Sequence, residues 1–464
     1  MRNSMRNMLI CLILIFYTAG FAKSNGDLFP RMIEKFRHQL DLDGADKALM
    51  NAVTNTDMKQ LTLNRQIYNS YNDIFSHKIK TEGITDQKSS GRCWMFAGLN
   101  IMRPHVIKKY NLTSFEFSQN YLFFWDKLEK ANFFLETMIE NADKDLNDRE
   151  MQILLKSPVA DGGWWNYFTA LIDKYGAVPK GVMVETVSSE KSKNLNFILN
   201  NLMRANALEL RQMAHNSLKK SVQRKRKEEM LSDVYRLLVY HLGLPPQEFT
   251  WKYVDKDNNV SEKEYTPQKF YKEVVGFDLG EYVTIMDHTM HPYHTHYEIK
   301  YCRNIIDKSN MAFINLDISK LKEFTLASVL DSVPVWFAAD VGHQMEKDRG
   351  IMAVDLYDYE TLFNIDTKIS KKDRLTTRAS MPNHGMVFTG VDLKDGKPVK
   401  WLVENSWGTD PGNDGRWTMY DSWFDEYVFT IIIQKSRLPK EIQELLKTKP
   451  VVLPPWDPMM DSFR

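Results

Sequence analysis

The chain has 464 residues, of which 43% are hydrophobic and 12% aromatic, enough apolar material for a large core. Basic and acidic side chains nearly cancel, at 61 against 60, so nothing global favours nucleic acid or an acidic substrate. The length suits about three domains of an ordinary globular enzyme or binding protein.

The N-terminus is set apart from the rest. "MRNSMRN" is basic, "MLICLILIFY" is apolar and "AGFAKS" supplies small residues. This is the layout of a secretory signal, predicted over residues 1–22 with cleavage after Ala22. It implies export, to the periplasm or beyond. The apolar run is short for a bilayer span, an uncleaved anchor being the alternative to a cleaved signal, and no later segment is long and apolar enough to cross. Cys11 falls inside it, which leaves Cys93 and Cys302. Two cysteines make no disulfide framework, although they are able to pair once.

Residues 23–80 read as polar helices and 93–140 as helix, broken near "NLTSFEFSQ". "SPVADGGWWNYFTALIDKYGAVPK" is a loop, an amphipathic helix and a Gly-Pro exit. Residues 186–245 are charged, helical in pattern and almost free of Gly and Pro. Short β-branched and aromatic runs follow, among them "EYVTIM", "VPVWFAADVG", "HGMVFTGVDL", "KWLVENSWG" and "YVFTIII", separated by Gly, Asp and Asn turns. Helices early and strands late predict an α+β fold with the two segregated.

A thiol nucleophile needs a stabilised thiolate, a base and donors for the oxyanion. Cys93 opens a predicted helix, whose N-terminus favours a thiolate. Gly91 permits a tight turn before it. Gln87, six residues upstream, is a candidate oxyanion donor beside the Cys93 backbone N–H. His384 stands at the mouth of a predicted strand and is the candidate base. Asn405 ends the next strand and is suited to orient an imidazole. Trp407 would shield that bond from water.

The order Gln87, Cys93, His384, Asn405 resembles the papain-like cysteine peptidases. The wording of "SGRCWMFAGLN", "FSQNYLFFWDKLEKANFFLE", "DGGWWNYFTALIDKYGAVPK", "VENSWGTD" and "LPPWDPM" is similar to one branch, the bleomycin hydrolase and aminopeptidase C family. The likeness runs from about residue 30 to the end. It implies a two-lobed papain-like fold, with a helical lobe and a β-barrel-like lobe, a large helical insertion and a C-terminal tail entering the cleft. The implied boundaries are a signal at 1–22, a helical arm at 23–80, the cysteine lobe at 81–185, the insertion at 186–310, the histidine lobe at 311–440 and the tail at 441–464.

The implied activity is a cysteine-type aminopeptidase acting on peptides, with no cofactor and no catalytic metal. The implied assembly is a homohexamer with active sites facing an internal channel. Gly162, Gly163, Trp164, Trp407 and Arg464 are assigned to substrate binding. The chain departs from the family pattern at its signal, at Trp164, at Gly385 and in the ending "MDSFR". Two rival readings are a broad endopeptidase, if the tail leaves the cleft open, and a nucleic-acid-binding hexamer with secondary peptidase activity.

Several features have plainer readings. Cys302 reads as an inert core residue. His343 is a weaker base candidate than His384, because no Asn-bearing strand follows it. His288, His291, His294 and His296 are dense enough to bind metal, but fit no zinc spacing, so a polar aromatic loop is expected. The basic run Lys219–Lys227 reads as a solvated helix face. The prolines at 454, 455 and 458 predict an extended, non-helical tail anchored by Trp456 and Met459.

Overall fold

The computed structural model describes residues 26–461, so the predicted signal and Arg464 lie outside the described residues. The chain divides into two compact units, one through Thr62 and one from Leu63 onward. The first contains helices Pro30–Gln39, Gly44–Asn55 and Met58–Thr62. Asp43 starts the second of these with a capping box, exchanging hydrogen bonds with Asp46.

The second unit is the α+β fold expected from the segregation of patterns. Its helical part centres on Cys93–Lys109, which is buried along almost its whole length. Gln119–Glu140 starts at Ser118, whose hydroxyl accepts from the Tyr121 N–H. Trp165–Tyr175 ends at Gly176, with φ 72°. A Cβ there would lie 2.3 Å from the Pro267 carbonyl oxygen, so glycine is required twice over. Two long helices, Lys193–His215 and Lys220–Leu242, pack on Gln119–Glu140 through Leu199, Met203, Met230 and Val234.

The sheet part is built on the strand His384–Lys394. It pairs antiparallel with Lys397–Glu404 on one side and Val335–Ala339 on the other. Val428–Gln434 and Tyr282–Met286 extend the sheet beyond Val335–Ala339, and Arg416–Tyr420 extends it beyond Lys397–Glu404. The central strands are near-continuous apolar runs because both faces are covered. The strand Val451–Leu453 adds to the far edge, parallel to Thr295–Ile299, and leads into the tail.

The tail differs from expectation in one respect. Pro458 begins a single helical turn, Pro458–Asp461. Proline at the first helical position loses no hydrogen bond that the helix would have made. Met459 and Met460 are buried, while Trp456 is half-buried and stacks on the Arg149 guanidinium, 4.3 Å from its ring centre. Met459 anchors the tail as expected, and Met460 does so in addition.

Among the described residues no helix is long and apolar enough to cross a membrane. The cations of the run Lys219–Lys227 are partly neutralised by neighbours. Arg224 and Lys227 meet Glu136, and Arg226 meets Glu209 and Glu229.

Candidate active site

The helix Cys93–Lys109 points its N-terminus at the sheet. Cys93 is its first residue, following Arg92 at φ −95°, ψ 13°. Gly91 lies in a bend just before the helix, without a positive φ. It is needed for close approach, because a Cβ would sit 2.8 Å from the Asp161 Cβ. Its N–H donates to Asp161 Oδ2 at 3.0 Å.

Across the boundary, His384 opens its strand, opposite Ala339. The register Val387–Glu404 brings the next residue, Asn405, beside the start of that strand. The His384 Nε2–H therefore donates to Asn405 Oδ1 at 2.8 Å, leaving Nδ1 for the cleft. Asn405 Oδ1 also accepts from the Ser406 N–H at 2.7 Å. Trp407 covers the imidazole, with ring centres 4.8 Å apart.

Gln87 is tied to the same segment. Its backbone N–H donates to the Ser406 carbonyl at 2.9 Å, and its Oε1 accepts from the Ser406 hydroxyl at 2.7 Å. Its Nε2 donates one hydrogen to the Ser90 carbonyl at 2.5 Å. A primary amide has a second, and Gln87 lines the cleft together with Cys93, Gly162, Asn383 and His384. The cleft holds about 340 Å³.

Burial dominates the electrostatics. It pushes the Cys93 thiol up to about 11, against hydrogen bonds offered to the sulfur by the Gly385 and Trp94 backbones. It pushes the His384 imidazole down to about 4, against the Asn405 contact. This desolvation opposes the thiolate stabilisation expected from the helix N-terminus. Burial thus opposes a charge on either group.

The wall carrying Gly162 and Gly163 is held by charges that sequence reading missed. Lys127, fully buried, reaches Asp161 at 2.7 Å and the Val159 carbonyl at 2.8 Å. Lys130 binds the Ala160 and Gly162 carbonyls at 2.8 and 2.7 Å. Although burial opposes it, the Lys127 ammonium holds the Asp161 carboxyl well below the usual carboxylate range. The only signal in the sequence was two lysines three apart inside an aromatic helix.

Gly162 lines the cleft. Gly163 and Trp164 line a narrow adjoining cavity, together with Met460 of the tail. Trp164 is buried at 2% exposure, and a Cβ on Gly163 would lie 2.7 Å from the Trp94 ring. His343 lies elsewhere, stacked on Tyr427 and 3.2 Å from Asp340. Cys302 is fully buried near the Tyr167 hydroxyl, and no disulfide joins it to Cys93. His288 and His291 converge, whereas His296 binds the Thr448 carbonyl.

A helical lobe carrying the cysteine meets a sheet lobe carrying an Asn-bonded histidine, and the two share one cleft. That is the papain-like arrangement of thiol peptidases. Comparison with known proteins narrows the class. The model of the peptidase C1-like family matches residues 27–460, and the chain belongs to that family of cysteine peptidases. It is 39% identical to aminopeptidase C of Lactobacillus delbrueckii subsp. lactis over 433 residues, covering 92% of this chain and 96% of that protein. Human bleomycin hydrolase is 36% identical over 449 residues, covering 94% of this chain and 99% of that protein. The crystal structure of PepW from Lactobacillus rhamnosis HN001 superposes with a TM-score of 0.92 at 39% identity, covering 94% of this chain and 99% of that one.

Proposed function

We propose that this chain is a cysteine-type aminopeptidase that removes N-terminal residues from peptides. One observation carries the chemistry. His384, oriented by Asn405 at 2.8 Å, shares a cleft with the Cys93 thiol at a helix N-terminus. In this reading the thiol proton passes to His384 Nδ1 as sulfur attacks the first peptide carbonyl. The oxyanion is met by the Cys93 N–H and the second Gln87 Nε2–H, each worth about 3 kcal/mol. His384 returns the proton to the leaving amine, and a thioester remains. Water then gives its proton to His384 as it attacks the thioester, the C–S bond breaks, the leaving sulfur takes that proton back, and the N-terminal residue is released.

The preference for free N-termini is supported by the tail. Met460 is buried in the cavity next to the cleft, beside Gly162 and Gly163, which supports a tail that reaches the cleft. A chain end lying there would stop longer substrates and would offer a carboxylate to the α-ammonium. Gly162, Gly163, Trp407 and Arg464 remain the proposed substrate-binding set, whereas Trp164, buried at 2% exposure, backs the wall instead of facing substrate. Export by residues 1–22 rests on the signal pattern, and the homohexamer rests on the family resemblance. Assaying aminoacyl against N-blocked fluorogenic substrates tests the activity. Equal or faster turnover of the blocked substrate would replace the aminopeptidase by an endopeptidase.

A further inference from the structure

At the root of the tail, outside the catalytic cleft, two imidazoles and one carboxylate converge. His288 Nε2 lies 3.0 and 3.1 Å from the two Asp457 oxygens. His291 Nε2 lies 3.4 Å from Asp457 Oδ2. All three donor atoms fall within 4.8 Å of one another. Tetrahedral ligands at zinc distances stand about 3.3 Å apart, so the two His–Asp457 spacings need little adjustment.

The site is built rather than incidental. The fully buried Asn315 holds the turn that carries both histidines. Its Oδ1 accepts from the His288 N–H at 2.8 Å, and its Nδ2 lies 3.1 Å from the His288 carbonyl and 3.0 Å from that of His291. Asp457 is fixed from its own side, because its Oδ1 accepts from the Met459 N–H at 2.9 Å. Phe313 and Tyr297 pack against the two rings. His288 Nδ1 is buried with no protein partner, and without metal the Asp457 carboxylate accepts the Nε2–H that a metal ion would displace. The His291 side chain is 27% exposed, which leaves a way in from solvent.

We propose that His288, His291 and Asp457 bind a divalent transition metal of the zinc type, which clamps the C-terminal tail to the sheet lobe. Two imidazoles and a carboxylate suit zinc and its neighbours rather than the hard cations magnesium and calcium. Three protein ligands leave one position for water. Two ligands come from the body and one from the tail, so the metal joins segments 166 residues apart. Three residues beyond Asp457, Met460 lines the cavity beside Gly163. Metal binding does not depend on the peptidase reading, but its effect on the tail as a gate does.

The test uses the full chain, without a polyhistidine tag, in a Cys93→Ala background that removes the catalytic thiol as a competing zinc ligand. After chelator treatment, Zn²⁺ is titrated calorimetrically and counted by elemental analysis. One Zn²⁺ per chain is expected, with a rise in Tm. His291→Ala, at the most exposed ligand, should weaken binding at least about tenfold. Asp457→Asn, which keeps the shape and one acceptor oxygen, should do the same, and circular dichroism checks that each variant is folded. A parent that takes up no Zn²⁺, or folded variants that bind as tightly as the parent, overturns the proposal and leaves a hydrogen-bonded clasp.

Discussion

Arg103 and Glu404 meet at 2.7 Å, both buried, across the boundary between the helical and sheet lobes. Arg103 lies on the helix that Cys93 begins, and Glu404 immediately precedes Asn405. One ion pair therefore ties the frame of the nucleophile to the frame of the imidazole. Removing one partner leaves a buried charge uncompensated, at a cost of about 3–5 kcal/mol. Glu404→Ala should lower Tm and reduce kcat more than KM, because Asn405 loses its support. An unchanged Tm would show that the pair is dispensable.

Cys93→Ala should abolish turnover without unfolding the chain, read by peptide hydrolysis and circular dichroism. His384→Ala should cost about 10²–10⁴-fold in kcat, the range of a lost general base. Asn405→Ala should cost less, because its amide orients the ring at 2.8 Å without carrying a proton. A loss with Asn405→Ala as large as that with His384→Ala would contradict this ordering.

The pH response follows from burial of His384, whose pKa is pushed from 6.5 down to about 4. Its neutral form accepts the proton, so kcat/KM should fall with an acid limb near 4. Stability has a related signature. Between 6.5 and about 4 the unfolded chain binds a proton that the folded one does not. Stability from this group is therefore full above the unfolded pKa and lost as pH falls through that window, by about 3 kcal/mol. His384→Ala should flatten that part of a Tm–pH profile.

Gly163→Ala places a Cβ 2.7 Å from the Trp94 ring. Overpacking of this kind costs about 1–3 kcal/mol and would shift the residue next to Cys93. Gly385→Ala meets backbone and the Trp336 ring at 3.2–3.3 Å and should be milder. Gly181→Ala, with nothing within 4 Å, is the control. Thermal melts of the three variants should rank in that order.

Deleting residues 460–464 removes Met460 from the wall beside Gly162 and Gly163. Activity on free-amine substrates should fall, and activity on N-blocked ones should rise. A truncated enzyme that keeps its preference for free N-termini would show that the tail is not the gate.

The sequence by itself determined what depends on local pattern and on side-chain chemistry. Helical periodicity after Cys93 and strand-like runs around His384 and Asn405 were enough to place a thiol, a base and an orienting amide in order. The α+β layout followed from the same patterns. Tertiary structure decided the electrostatics, because desolvation depends on what surrounds a group in three dimensions. It set desolvation, which pushes the Cys93 thiol up to about 11, against the thiolate stabilisation expected at the helix N-terminus. It brought Asp161 so close to the bend at Gly91 that a Cβ there would have no room. It also chose the partners of buried charges. Arg103 finds Glu404 across 301 residues, Lys127 finds Asp161, and two of four clustered histidines find Asp457. No spacing announces such pairs, since each is selected by the cost of leaving a charge alone in a core that only the folded chain creates.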